Sequence, residues 1–512
     1  MSSAKQAGLV MPLFSLRSEE SWGVGEVPDL TGFSRWASRA GFSAIMLLPF
    51  HEVWPGETSP YGAVTAFALD PVFVRLGDCE DFAAAGGEAS VLNEEQRASL
   101  AHCRAAPEVQ WEKIRSLKTA ALAACFKQFK EAEVNTSRAK LFEAFKAQEA
   151  GWLDDYALYH AIASELGPGW GGWPDGLKRR TPEAMAEARN RLAWGIEYRQ
   201  YVEWMLTLQW SAARAEALKV GVQFGGDLPF VVSRDAADVW ANQGFFRLDL
   251  RLGAPPDAFS SEGQDWGLPV YDWGALKNQG YSWLRVRALR SNQLCSLWRI
   301  DHVVGLFRSY YTTGDGAAPG FLPADEPSQI EQGRAALAAL SAAGDVLAED
   351  LGVIPPFVRA SLVEMASPGF KVLRWEREGF VHNDPATWPD ASVATTGTHD
   401  TDTQAEWWES MAQEEREEIA KLQGMEGFGH EGKFSPAIRD ALLKLVYAAP
   451  SRLTLVPFQD AIGLQGRVNL PGSVSPHNWT YRMPMTVAQL ATDMEATTRL
   501  MALARETGRR VD

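Results

Sequence analysis

The chain has 512 residues, 46% apolar and 22% charged, the balance of a soluble globular protein with room for a large core. A formal net charge of −16 disfavours nucleic acid and anionic membrane as partners, since both need a basic footprint, and is compatible with a neutral, hydroxyl-rich substrate. No apolar run could span a bilayer, the first residues lack a signal-peptide core, and the four cysteines, Cys79, Cys103, Cys125 and Cys295, match no zinc or redox spacing, so a reduced, cytoplasmic setting is expected.

Eight short apolar runs ending in polar or acidic residues recur along the chain. The first two cover residues 8–16 and 43–50, with a helical pattern at 28–40 between them that places Leu30, Phe33, Trp36 and Ala37 on one face. A mostly helical, charged insertion follows, at about 75–219. Within it Tyr201, Trp204, Met205 and Leu208 form a stripe at helical spacing, and the Gly-Pro-Gly-Trp-Gly-Gly-Trp-Pro run at 167–174 breaks the pattern. The third run, 220–230, leads into an irregular stretch at about 240–273 rich in Gly, Pro, Asp and aromatics. The remaining runs are 296–302, 345–352, 370–375, 392–400 and 452–460. Helices are expected at 282–293, 335–343 and 355–365, and a helical insertion at about 403–443.

Near-continuous apolar runs of this length suit parallel strands buried on both faces, and their alternation with helices argues for βαβ units. Eight of them predict an α/β chain folded as one (β/α)8 TIM-type barrel over residues 1–512 with large, mostly helical insertions; counting alone leaves a doubly wound open sheet possible. In a parallel barrel the C-terminal strand ends share one face. Asp301 ends the fourth run, Glu349 and Asp350 the fifth, and Asp400 the seventh, so the fold would bring distant carboxylates together. Any one of these is more often a helix cap or an ion-pair partner. The arrangement favours chemistry: Arg299 and His302 flank Asp301, and His399 precedes Asp400. Cleaving a glycosidic bond needs a proton for the departing oxygen and a carboxylate for the anomeric carbon. Carboxyls about 5–5.5 Å apart allow a covalent intermediate and retention. The 20 tryptophans fit sugar stacking, but equally an ordinary core.

Longer motifs then appear in order: Ser59-Pro-Tyr61, WLDDYAL from Trp152, GDLPFVV from Gly226, DVWAN from Asp238, GAPPDAFSSEGQDWGLPVYDW from Gly253, RIDH from Arg299, AEDLGVI from Ala348, TGTHDTDT from Thr396, VPFQD, and NLPG from Asn469. With them the chain resembles the 4-alpha-glucanotransferases of the amylomaltase (disproportionating enzyme) family, in the alpha-amylase clan. The resemblance implies retaining transfer of an α-1,4-glucan segment from a donor to the 4-hydroxyl of a sugar acceptor. Asp301 would be the nucleophile, Glu349 the general acid/base and Asp400 the group that holds the reacting sugar in a distorted ring. Arg299 would keep Asp301 oriented. Ser59, Tyr61, His302, His399 and Asn469 would bind substrate, together with Asp257, Phe259 and Trp266 from a loop arching over the groove. No metal and no cofactor is implied: no HExxH pattern, phosphate loop or dinucleotide fingerprint is present.

The chain departs from the family pattern at Gly23–Pro28, at 51–58, at Asp70-Pro71, and at Arg374-Trp375-Glu376-Arg377, where an aromatic stretch is usual; these positions are read as strand ends facing the groove. The alternatives are an α-glucan hydrolase on the same site and a glucan-binding protein without catalysis. The assigned roles predict a bell-shaped pH profile, because the nucleophile must be ionised and the acid protonated.

Overall fold

The computed structural model describes residues 4–132, 136–256, 263–314, 318–473 and 475–509. The eight expected strands are present: β1 (Gln6–Met11), β2 (Ala44–Leu47), β3 (Gln223–Leu228), β4 (Leu297–Ile300), β5 (Asp345–Ala348), β6 (Gly369–Val372), β7 (Ser392–Thr395) and β8 (Leu453–Pro457). They pair in parallel and in sequence, β8 returning to β1 to close a barrel. Closure decides between the two architectures that the strand count allowed. The barrel interior is filled by Met46, Leu297, Leu347, Phe370, Val393, Leu453 and Leu455, branched or long side chains from alternating strand positions. At Gly226 on β3 a Cβ would lie 2.6 Å from the Trp298 ring, so only glycine leaves room for that indole on β4.

The outer helices follow the apolar pattern. In Asp29–Arg39 the side chains of Leu30, Phe33, Trp36 and Ala37 are all buried. Glu326–Ser341 begins at Asp325, whose carboxylate accepts from the Ser328 backbone N–H, with a proline in the first turn. Between β6 and β7 the alternation fails. The connection holds only the short hairpin strands Arg377–Glu378 and Val381–His382 and a 3-10 turn at Pro385–Thr387. Two prolines, Pro385 and Pro389, oppose a helix there. The vacant place is filled by a second core of Leu373, Trp388, Trp407, Trp408, Met411 and Ile438, contributed largely by the helices Gln404–Ser410 and Pro436–Ala448 between β7 and β8.

The first insertion is helical as expected and includes Trp111–Ala132, Ser137–Leu166 and Ala193–Lys219, the last leading into β3. Tyr201, Trp204 and Met205 are buried but Leu208 is 48% exposed. The helix is covered on all sides from Gln200 to Leu206 and emerges beyond, so a one-sided stripe does not describe it. The stretch read as irregular contains two long antiparallel strands, Phe246–Ala254 and Gln264–Tyr271. They are joined by Ser309–Thr313 and Gly320–Leu322 from the connection after β4, giving a four-stranded sheet. Phe246, Leu250 and Leu252 face inward while Asp249 and Arg251 face solvent, the period-two alternation of a half-buried strand.

An ionic lock docks the helical insertion on the barrel. The Lys118 ammonium, 1% exposed, donates to Glu26 Oε1 and to the carbonyls of Val72 and Val74, each at 2.6 Å, and Arg75 Nε reaches Glu26 Oε2 at 3.0 Å. Among the family departures, Glu26 is therefore structural. Removing Lys118 leaves Glu26 with Arg75 but takes the donor from the Val72 and Val74 carbonyls. Lys118→Met is expected to destabilise the fold by about 3 kcal/mol, and the double variant with Glu26→Gln to recover little of that loss, because Arg75 then loses a partner as well. Urea unfolding midpoints read both, and an unchanged midpoint in the single variant would remove this pair as the docking element.

Candidate active site

Parallel register brings the first charges together. β3 and β4 set Asp227 opposite Arg299, and β4 and β5 set Ile300 opposite Ala348, so Asp301 and Glu349 follow as neighbours at the rim. Arg299 Nη1 lies 2.6 Å from each Asp227 carboxylate oxygen and 2.8 Å from Asp301 Oδ1. Burial opposes the guanidinium charge, yet Asp227 and Asp301 hold its pKa well above the ordinary arginine value. Tyr61 Oη donates to Asp227 Oδ2 at 2.8 Å and lies 3.1 Å from His399 Nε2. Burial, then the Asp227 charge, keeps the Tyr61 hydroxyl protonated far beyond its usual range.

The turn after β4 is tight. His302 adopts φ +48°, uncommon outside glycine, and its backbone N–H donates to Glu349 Oε2 at 2.8 Å. The turn that presents Asp301 thereby also holds the neighbouring carboxyl. Burial pushes Glu349 up to about 8, against the pull of Arg299 and with help from the Asp301 charge. Asp350, next in sequence, leaves the centre: its Oδ1 accepts from the Phe370 N–H at 2.7 Å. Burial lowers the His302 imidazole, so it is neutral at pH 7.

The third carboxylate arrives from the opposite side of the rim. Asp400 Oδ1 accepts from Asn469 Nδ2 at 2.6 Å, and Oδ2 lies 3.3 Å from His399 Nε2. The His399 ring stacks on Tyr61, centroids 5.4 Å apart, and Trp479 packs beside both. One chain of contacts thus runs Asp301–Arg299–Asp227–Tyr61–His399–Asp400–Asn469. Trp266 sits edge-on to His302 at 4.9 Å, carried there by the antiparallel sheet. Ser59 is half-buried two residues before Tyr61, and its Oγ accepts from the Tyr61 N–H at 3.4 Å. Asp257 and Phe259 lie outside the described residues.

The arrangement can do acid–base and nucleophilic chemistry. It offers one carboxylate charge-compensated by Arg299, one carboxyl kept protonated near neutrality, and neutral hydroxyl, imidazole and amide groups suited to sugar hydroxyls. Among the described residues no group of three or more His, Cys, Asp and Glu side chains could hold a metal ion. Three participants are not singled out by the sequence reading: Asp227, Trp479 and Arg467, whose Nη2 donates to the Asp400 carbonyl. Asp227 carries a readable signal, since it is an acidic residue inside the apolar third run, one residue before the end of β3 and in register with Arg299. Arg374, read as facing the groove, is instead buried: it stacks on Trp407 and donates from Nη2 to the Asp402 carbonyl at 2.7 Å.

The glycoside hydrolase family 77 model, described as 4-alpha-glucanotransferase, matches residues 11–487. The chain is 33% identical over 516 residues to a 4-alpha-glucanotransferase of Thermus thermophilus, covering 94% of this chain and 96% of that protein. To one of Chlamydia pneumoniae it is 29% identical over 513 residues, covering 96% and 94%. Among solved structures, the amylomaltase of Streptococcus agalactiae in complex with acarbose superposes with a TM-score of 0.83 at 23% identity, covering 99% of this chain and all of that one.

The raised Glu349 pKa gives a direct observable. Infrared difference titration of the free protein should show a carboxyl band that ionises near pH 8 and disappears in Glu349→Gln. A Glu349→Gln spectrum identical to that of the parent between pH 7 and 9 would contradict the geometry described.

Proposed function

The chain belongs to glycoside hydrolase family 77, the 4-alpha-glucanotransferases of the alpha-amylase clan, and from that premise we propose that Asp301, Glu349 and Asp400 carry the transfer. Asp301 attacks the anomeric carbon of an α-1,4-glucan. As that bond forms, the bond from the anomeric carbon to the leaving 4-oxygen breaks, and the oxygen takes the Glu349 proton. The shortened glucan departs and leaves its other part β-linked to Asp301. In the second step Glu349 accepts the proton of an acceptor 4-hydroxyl, whose oxygen bonds the anomeric carbon and displaces Asp301. The product has the α configuration of the donor.

The observation that carries this reading is the unequal surroundings of two adjacent carboxyls. Arg299, 2.8 Å from Asp301, orients it and compensates its charge, whereas burial keeps Glu349 protonated up to about 8. Asp400 is assigned to two hydroxyls of the reacting sugar, in a ring strained toward the oxocarbenium form. Both its oxygens already meet Asn469 and His399, which would share those hydroxyls. Tyr61 stacks on the reacting sugar, His302 and Ser59 bind hydroxyls, and Trp266 covers the ring from the antiparallel sheet. The acceptor is glucose or another glucan. The aromatic rim of Tyr61, Trp266 and Trp479 favours a sugar over water in the second step.

The whole chain is read as one catalytic barrel domain whose insertions serve its rim. Four buried, unpaired thiols support a reducing, cytoplasmic setting. Among the described residues no helix is long and apolar enough to cross a membrane.

Maltotriose alone as substrate tests the reaction class. Transfer yields glucose and a ladder of longer oligomers; glucose and maltose alone would establish the hydrolase instead. Asp301→Asn should lower turnover by roughly 10³-fold or more, as expected for loss of a nucleophile. The value of kcat/KM should fall tenfold per pH unit above about 8, where Glu349 loses its proton. Full activity in Asp301→Asn would refute Asp301 as the nucleophile, and absence of maltotriose turnover in the parent protein would leave only the non-catalytic reading.

A further inference from the structure

The loop that carries Asp400 is tied to the loop that carries Asn469 by one arginine. Arg467 Nη1 donates to Asp402 Oδ1 at 2.7 Å, Nε donates to the Asn469 carbonyl at 2.6 Å, and Nη2 donates to the Asp400 carbonyl. One guanidinium therefore touches the backbone of both residues whose side chains meet at 2.6 Å in the site, and a third point beyond them. The Asn469 N–H adds a bond to the His399 carbonyl at 3.1 Å, so the two loops are laced on both sides of the Asp400 side chain. Arg374 secures the same turn from the barrel side through the Asp402 carbonyl. It is 6% exposed, its plane rests on Trp407, and although burial lowers its pKa to about 10 it stays charged at neutral pH.

Around these ties the turn has few other supports. The Asp400 N–H donates to Thr398 Oγ1 at 3.2 Å, and Thr401 Oγ1 closes the turn onto the Thr398 carbonyl at 2.9 Å. Neither bond reaches the 467–469 segment. The strand pairing between β7 and β8 stops at Ala394 and Thr454, well before the loops begin. Beside the backbone bond at His399, the Asn469–Asp400 side-chain bond and the Gly466 N–H bond to Glu406 Oε1 at 3.2 Å, the arginine is the side chain that grips the backbone of Asp400 and of Asn469 together. The three acceptors lie in different directions, which suits the planar five-donor fork of arginine and not the compact ammonium of lysine.

We propose that Arg467 is a positioning residue for the transfer reaction: it sets the Asp400 carboxylate and its partner Asn469 in the geometry that grips the sugar in the transition state, and Arg374 is the second tie on the same turn. The proposal rests on the role given to Asp400. It also accounts for Arg374, the residue of the 374–377 departure that turns inward: it supports the site from beneath and does not meet the glucan.

A double-mutant cycle tests it. Turnover is read as total maltotriose consumed, which is defined whether the glucosyl group passes to sugar or to water. Arg467→Met should lower kcat by roughly 10- to 100-fold, as for a displacement of catalytic groups by about 1 Å, while KM changes less than about 3-fold. In an Asp400→Asn background the same substitution should cost less than about 2-fold, because its effect passes through Asp400. Equal fold-losses in the two backgrounds, or an unchanged kcat in the single variant, would overturn the proposal. Arg467→Lys should not restore kcat; restoration would show that charge alone suffices and would overturn the positioning role. If Arg467→Met does not fold, Arg374→Gln enters the same cycle with an expected loss of roughly 3- to 10-fold that vanishes with Asp400→Asn, and a loss that persists there overturns it equally. Wild-type turnover in Asp400→Asn alone would instead refute the role given to Asp400, whatever Arg467 does.

Discussion

The site depends on a single buried cation. Arg299 is placed by strand register opposite Asp227, and its Nη1 meets Asp227 and Asp301 together. Without it, two carboxylates and a third acidic group, Glu349, would share one rim, and mutual repulsion would favour protons on more than one of them. With it, Asp227 and Asp301 each have a cation at hydrogen-bond distance, while burial raises the Glu349 pKa to about 8. The same cation reaches further, since Asp227 is also the acceptor for Tyr61, and Tyr61 contacts His399 beside Asp400. The three acidic groups are far apart in sequence, yet they occupy one electrostatic unit whose centre is an arginine on the fourth strand.

The barrel is legible because its strands are buried on both faces and so read as unbroken apolar runs with polar ends. That rule locates Asp301, Glu349 and Asp400 at one rim. It cannot separate Glu349 from Asp350, adjacent residues at one strand end, because the choice depends on which side of the strand faces the centre. The structure turns Asp350 to the β6 backbone. Asp227 is an acidic residue inside such a run, but it belongs to a longer family motif that draws attention to the whole and away from the single carboxylate. The roles come from the family resemblance; the contacts that make them workable, such as Tyr61 on Asp227, join residues 166 positions apart and leave no trace in local pattern.

Where the structure differs from the sequence reading, the causes are local. Phe-Arg-Leu-Asp-Leu-Arg-Leu at 246–252 alternates as a strand should, but flanking glycines, prolines and aromatics give the segment the composition of an irregular loop. The missing helix between β6 and β7 reflects prolines in the connection and a core supplied by helices that come later in the chain. Arg374 follows a strand and so reads as a groove residue; its side chain turns inward onto Trp407, a contact across the β7 strand that no local pattern announces.

The antiparallel sheet beside the rim draws two strands from the connection after β3 and two from the connection after β4. Its strands Phe246–Ala254 and Ser309–Thr313 pair directly, so the two connections are one object in space although they are separate in the gene order. A transplant of either into another barrel of this kind would leave unpaired strand edges in host and graft alike. Recombination between relatives should therefore exchange the interval from β3 through β5 as one block, and the boundaries of workable chimaeras would be set by this sheet before they are set by any residue that touches sugar.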